Sequence, residues 1–398
     1  MNKHRVRVAV LYGGRSGEHE ISLLSAASVI RNLDRERFEV IPIGIDKKGR
    51  WRYNDIGLLH GVSMPELDDD DEAPSLMLPP HPTAGKGPLV SIDPAGTPPT
   101  IDVVFPVVHG PLCEDGTLQG MLELADVPYV GSGVLGSAVG MDKDVAKRLA
   151  LEAGIDVAPF LTIRRERYRK GGESVGAFIE DVEHRLRYPC FVKPANMGSS
   201  VGIHKAHDRA ELLAAIDDAF LYDVKILVEA AIDAREIELA VLENIDEGGE
   251  PRVSIPGEIL PTHEFYSYEA KYLDENGAAL KIPADLDDHQ IMEAQRIAAR
   301  VFETLECEGM ARVDLFLDRE TGRLLFNEVN TIPGFTTISM YPKLWEASGT
   351  SYHDLLSTLI DLAVARHRRR STLLREKGDV SDHLQAGEST SNEGRGNE

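Results

Sequence analysis

One stretch, MARVDLFLDRETGRLLFNEVNTIPGFTTISM from Met310 to Met340, constrains this chain more than any other. Two apolar runs, ARVDLFLD and RLLFNEVN, flank RETGR, whose Thr-Gly step marks a short turn, and the pattern predicts a β-hairpin. Side chains alternate across a strand, so Arg312 shares a face with Asp314, and Glu328 with Asn330. Antiparallel pairing brings two carboxylates, an amide oxygen and an arginine onto one surface. Hard oxygen donors of this kind suit Mg²⁺, which is commonly held by one or two carboxylates together with substrate phosphates. An edge hairpin with a solvated polar face is the plainer alternative. Against it, Phe, Leu and Val fill the other face, and NTIPGFTTISM places backbone N–H groups and hydroxyls just past the carboxylates. The expectation is a phosphate and metal site.

At 398 residues the chain exceeds one ordinary core, and two or three domains are expected. A formal net charge of −23 argues against a nucleic-acid partner, which needs basic stripes. Part of that charge is the run Asp68–Glu72, read as a solvated loop. Cys113, Cys190 and Cys307 stand far apart with no metal spacing, which suits a reducing cytoplasm. No signal peptide or membrane span is visible.

In chain order, Val6–Leu11 reads as a buried strand leading into Gly13-Gly14-Arg15-Ser16-Gly17-Glu18 and a helical pattern from Ile21 to Leu33. Strands over Phe38–Ile45 and Ile101–Val108 follow, an order that predicts a parallel, doubly wound sheet with ligand loops at the strands' carboxyl ends. The glycine loop is not GxGxxG, so a dinucleotide is disfavoured. Glu18 opens a helix, where a dipole-stabilising role competes with a functional one. Residues 61–99 read as an inserted, partly ordered surface loop. His109 ends the third strand, and one long helical pattern from Ser137 to Ala153 carries Lys143.

A second unit starts after Pro159, with a helix over Ser174–Leu186 and a strand over Cys190–Ala195. The strand runs into Gly198-Ser199-Ser200-Val201-Gly202, small residues whose N–H groups can wrap polyphosphate, and Lys193 before it supplies a point charge. This is no Walker loop, since GxxxxGK[ST] is missing. A helix over Asp208–Phe220 leads to strands Lys225–Ile232 and Glu236–Leu242. Burying an unpaired carboxylate is costly, so Glu229 and Glu236 in these strands are expected to face ligand or water. The aromatics of 257–283 suggest a lid that shields reactive chemistry from water. A helix over His289–Glu306 precedes the hairpin, and helices over Tyr341–Ala347 and Tyr352–Arg366 follow it; from Ser371 onward the composition predicts disorder.

Taken together, GGRSGEHEIS, HGPLCEDGTLQG, MDKDVAKR, FVKPANMGSSVGI, YEAKY and ARVDLFLD…FNEVNTIPGFT make the chain resemble the D-alanine–D-alanine ligases of the ATP-grasp superfamily, from about Val6 to Leu362. The resemblance implies an N-terminal α/β domain over 1–136, a central ATP-grasp lobe over 137–233 and a C-terminal lobe over 234–370 with a lid at 262–283, then a disordered tail over 371–398. It implies that Glu18 anchors the ammonium of the first D-alanine, with His109 near its carboxylate. Ser199 would link Glu18 to Tyr272 and hold the lid shut. Lys143, Lys193 and Lys271 would contact ATP phosphates, and Ser200 would also bind ATP. Glu229 with the Ala230, Ala231 and Ile232 backbone would form the adenine hinge, and Glu236 would bind ribose. Asp314, Glu328 and Asn330 would hold two Mg²⁺ or Mn²⁺. Arg312 and the Gly334 N–H would stabilise a tetrahedral oxyanion, and Ser339 would bind the second D-alanine's carboxylate. A cytoplasmic homodimer, joined through the first domain, is also implied; a monovalent cation is a further cofactor to consider.

The chain departs from the family pattern in two places. Ala230 stands where members often carry a lysine after the hinge glutamate, and the 61–99 insertion is longer than in short members. Tyr272 in YEAKY favours an amine over a hydroxy-acid nucleophile, against the related D-alanine–D-lactate ligases. A non-catalytic ATP-binding relative would require loss of Arg312 or a metal ligand, and all are present. A ligase for another amino acid is opposed by Glu18 and Ser339.

Overall fold

The computed structural model describes residues 5–54, 64, 75–82, 89–91, 98–261 and 278–374. β1 (Val6–Gly13) is apolar apart from Arg7, and from Val8 onward all of it is buried. It is followed by α1 (His19–Asn32), β2 (Phe38–Ile45) and, further on, β6 (Val103–Pro106). β1 pairs parallel with both β2 and β6. Between β2 and β6 lie β3 (Trp51–Tyr53), β4 (Ser75–Met77) and β5 (Val90–Ser91). These three extend the sheet antiparallel, in the order β5-β4-β3-β2-β1-β6. The expected all-parallel sheet is thus a parallel core with an antiparallel edge. Part of the 61–99 stretch is strand rather than loop, because Leu76, Leu78 and Leu89 bury against the sheet.

α2 (Thr117–Leu124), α3 (Val134–Met141) and α4 (Lys143–Glu152) follow. The single helix expected over Ser137–Ala153 breaks at Asp142, whose extended backbone and side chain, accepting from the Val145 N–H, cap a new helix. The break makes Lys143 the first residue of α4. Lys225 secures it from below, with its ammonium 2.6 Å from Asp142 and 2.9 Å from Asp144.

β7 (Phe160–Arg164), α5 (Arg165–Lys170) and α6 (Glu173–Asp181) lead through a π-helical turn (Val182–Leu186) into β8 (Cys190–Pro194) and β9 (His204–Ala206). α7 (Arg209–Tyr222) and β10 (Lys225–Ala230) complete an antiparallel sheet ordered β7-β10-β8-β9. The third sheet contains β11 (Ala234–Leu242), β12 (Arg252–Val253), β13 (Gly257–Pro261), β14 (Ala278–Lys281), β15 (Met310–Asp318) and β16 (Leu324–Asn330). Its path is β14-β13-β11-β15-β16, with β12 on β11, and all pairs are antiparallel. α8 (Asp288–Thr304) starts in a capping box between Asp287 and Gln290 and packs its apolar stripe under this sheet. α9 (Met340–Ala347) and α10 (Tyr352–Ser371) close the described chain; α10 continues to the point where disorder was expected to begin.

One core joins the N-terminal sheet to the C-terminal helices. Phe335 is fully buried there, edge-on to Phe105 and Tyr341 at 5.7 Å and stacked on Tyr352 at 6.3 Å. Cys113, Cys190 and Cys307 are free and buried.

Two helical glycines make opposite predictions. A Cβ on Gly136 in α3 would collide with the backbone carbonyl of Glu306, so Gly136→Ala should cost about 1–3 kcal/mol in urea unfolding. A Cβ on Gly120 in α2 meets nothing within 4 Å, so Gly120→Ala should gain roughly 0.5–1 kcal/mol.

Candidate active site

The hairpin forms, and its pairing brings the two polar faces side by side. Arg312 lies opposite Asn330 and Asp314 opposite Glu328, and a bulge after Asp314 absorbs Asn327. On the other side β11 contributes Glu238, directly across from Asp314. Three carboxylates therefore stand in a row across three strands, with one guanidinium among them. Arg312 Nε and Nη2 each donate to Asp314 at 2.7 Å, and Nε also lies 3.1 Å from Glu238. Asn330 donates to Asp314 at 3.0 Å. Burial works against the Arg312 charge, but Asp314 and Glu238 outweigh it and hold the guanidinium well above its usual range.

Glu238, Arg312, Asp314 and Glu328 wall a cavity of about 580 Å³ between the second and third sheets, while Asn330 is not part of its lining. Lys143, Lys193, Ser199, Ser200, Glu229, Ala231, Ile232, Glu236, Arg312, Asp314 and Glu328 all line it, as does Glu238. Lys143 donates to the Met197 carbonyl at 2.7 Å and sits 3.3 Å from Glu328, so α4 reaches both the loop after β8 and the hairpin. Glu229 differs from expectation. It is buried and shared between Lys193 at 2.5 Å and Lys147 at 2.9 Å, so it is a paired internal charge as well as part of the cavity wall. Burial opposes its ionisation, yet the two lysines pull it down to about 2.

A second cluster adjoins the first. Ser199 donates to Glu18, joining the loop after β8 to the loop after β1. Gly110 is left-handed at φ +80°, and a Cβ there would lie 2.9 Å from the Glu18 carboxylate, so only glycine permits this approach. His109 donates from Nδ1 to the Ile332 carbonyl at 3.1 Å, and Ser25 receives the Phe335 N–H at 3.3 Å. Burial lowers the His109 pKa and favours neutral imidazole, with Glu18 acting against that. Phe335 anchors the turn that carries Gly334, and Ser339 closes it: its Oγ accepts from the Thr336 N–H at 3.0 Å and meets Thr336 Oγ1 at 2.8 Å. Lys271, Tyr272 and most of the 262–283 lid lie outside the described residues.

Among the described residues, no three His, Cys, Asp or Glu side chains converge as a ready-made metal site. Asp314, Glu328 and Asn330 instead offer two carboxylates and one amide, an incomplete oxygen shell of the kind that phosphate oxygens complete around Mg²⁺.

Sequence reasoning missed three residues. Glu238 had a legible signal, being two residues after Glu236 and so on the same strand face. Lys147, one helical turn after Lys143, had a weaker one. Glu114 had none: its role comes from burial beside Glu18 and a 2.7 Å bond from the Gly110 N–H. Desolvation, with the Glu18 charge adding, raises its carboxyl to about 8. A carboxyl raised in the folded state adds stability below its unfolded pKa and loses it as pH rises through about 8. Glu114→Gln should therefore flatten the fall in stability between mildly acidic pH and about 8, read by urea unfolding across pH; an unchanged slope would contradict this account.

Family models described as "D-ala D-ala ligase N-terminus" and "D-ala D-ala ligase C-terminus" match residues 7–132 and 149–361. A relative from Bradyrhizobium diazoefficiens, "D-alanine--D-alanine ligase A", is 59% identical over 383 residues, covering 95% of this chain and 99% of its own. The solved D-alanine-D-alanine ligase from Coxiella burnetii superposes with a TM-score of 0.79 at 37% identity, covering 93% of this chain and 97% of its own. The VanG D-Ala:D-Ser ligase from Enterococcus faecalis gives 0.78 at 36%, covering 90% and 100%. With both halves matched and relatives covering nearly the whole length, this chain belongs to the D-alanine–D-alanine ligase family.

Proposed function

We propose that the protein joins two D-alanine molecules into D-alanyl-D-alanine at the expense of ATP, for peptidoglycan precursor synthesis. The observation that carries this reading is the convergence, in and beside one cavity, of Lys143, Lys193, Arg312 and the hairpin carboxylates with the Ser199–Glu18 contact. Glu18 anchors the ammonium of the first D-alanine with His109 near its carboxylate, which attacks the γ-phosphate of ATP, forms D-alanyl phosphate and expels ADP. Lys143, Lys193, Ser200 and Lys271 hold the phosphates, Glu229 and the Ala231 and Ile232 backbone hold adenine, and Glu236 holds ribose. Positioning and charge neutralisation do most of the work in such a transfer. Asp314, Glu328 and Asn330 would hold Mg²⁺ or Mn²⁺, which would offset phosphate charge. The neutral amine of the second D-alanine, its carboxylate at Ser339, then attacks the D-alanyl phosphate and expels phosphate. Arg312 and the Gly334 N–H receive the charge on the tetrahedral oxygen. Tyr272, with Ser199, closes the lid over the acyl phosphate, which water would otherwise destroy.

Arg312 gives Nε and Nη2 to Asp314, and neither of these bonds uses Nη1, which is the donor aimed at that oxygen in this reading. We place the enzyme in the cytoplasm as a homodimer; no helix among the described residues is long and apolar enough to cross a membrane. Light scattering that returned a single chain mass would remove the dimer.

The activity is tested by phosphate release from ATP and Mg²⁺ with D-alanine, L-alanine, or D-alanine with D-lactate or D-serine as competitor. D-serine is included because of the likeness to the D-Ala:D-Ser ligase. Release and dipeptide are expected with D-alanine, and loss of about 10²-fold or more in Glu18→Gln and Arg312→Ala. Preferred incorporation of D-lactate or D-serine would overturn the substrate assignment. No D-alanine-dependent turnover in a folded, ATP-binding protein would overturn the reaction.

A further inference from the structure

Lys147 is the most deeply buried charge beside the cavity, with only 1% of its surface exposed, and no step above uses it. Its ammonium lies 2.9 Å from Glu229 Oε1 and donates to the Phe326 carbonyl at 3.5 Å. Glu229 Oε2 lies 2.5 Å from Lys193. Glu229 and Lys193 line the cavity, while Lys147 stands behind the wall. One carboxylate thus faces two ammonium groups, one on the ligand side and one on the protein side.

We propose that Lys147 is a positioning residue for the nucleotide: it neutralises Glu229 from behind, so that the charge of Lys193 remains available to the phosphates. This rests on the reading of the cavity as the ATP site. With Lys147 these three side chains sum to one positive charge; without it, Glu229 and Lys193 cancel, and the pair offers a phosphate no net charge. A purely structural role is the less economical account, since a buried ion pair can be replaced by an apolar side chain of similar size with little loss or even a gain of stability. Lys147 also spans two lobes, touching Glu229 on β10 and the carbonyl two residues before Glu328 on β16. It therefore fixes the adenine side of the cavity relative to the hairpin.

The test compares ADP with adenosine, because their affinity ratio isolates the phosphates from the base. Both are titrated calorimetrically into the wild-type protein, Lys147→Gln, Lys147→Met, Lys147→Arg and the double variant Lys147→Gln/Glu229→Gln, each checked for folding by its melting curve. Lys147→Gln and Lys147→Met should reduce the ADP-over-adenosine preference on the order of tenfold, a charge effect across a buried wall. Lys147→Arg should preserve the preference. The double variant should restore it, since removing both charges again leaves one positive charge. KM for ATP should rise in Lys147→Gln while KM for D-alanine holds. Lys147→Gln retains a donor for Glu229 and Phe326, so it carries the test if Lys147→Met does not fold. An unchanged preference in folded Lys147→Gln, or equal weakening of both ligands without recovery in the double variant, would overturn the proposal. Failure of the wild-type protein to bind ADP would instead overturn the ATP-site reading beneath it.

Discussion

The alignment of β11, β15 and β16 is the constraint on which the rest of the site depends. Glu238, Asp314 and Glu328 stand in line only because their strands pair at one register. Side chains alternate with a period of two, so a slip of one residue would turn Arg312 and Asp314 into the packed face now filled by Val313 and Leu315. Burial of that apolar face under α8 therefore enforces the polar face above it. Core packing and site geometry are two sides of one sheet.

Loops bring the remaining groups to this row, and each loop is fixed from behind. Asp142 caps α4, Lys225 binds Asp142 and Asp144, and the Lys143 N–H donates to the Ala195 carbonyl at 3.0 Å. The Gly334 turn is held by the Phe335 ring in the shared core and by Tyr352, whose hydroxyl donates to the Phe335 carbonyl at 2.8 Å. The Glu18 loop is joined to the loop after β8 by Ser199. Such fixing matters because a misplacement of about 1 Å can cost roughly 10²-fold in rate.

The electrostatics have a common logic. Although the chain is strongly acidic overall, the cavity gathers Lys143, Lys193, Lys205 and Arg312. Lys143 meets Glu328, Lys193 meets Glu229, and Arg312 meets Asp314 and Glu238. A buried charge without a partner is costly, so these internal pairs keep the cavity walls compensated. Arg312 is the clearest case, because Asp314 and Glu238 both face it.

The sequence by itself determined the elements and much of the site. The hairpin, the parallel start of the first sheet and the Gly-Ser-Ser-Val-Gly loop were legible because periodicity and turn residues act locally. The motifs around Glu18, Lys143, Lys193 and Arg312 were legible as a family pattern. What escaped it was decided by contacts between distant segments. Asp142 broke a seemingly continuous helix through a cap that periodicity does not register, and apolar residues within 61–99 added strands to an open sheet edge. Glu229, read as an acid facing ligand or water, also meets two lysines, one of them 82 residues earlier in the chain at Lys147. Glu114 gained its raised carboxyl only from burial beside Glu18. Local sequence sets which backbone a segment prefers; the charge state and partner of a buried group depend on which surfaces meet, and only the tertiary structure decides that.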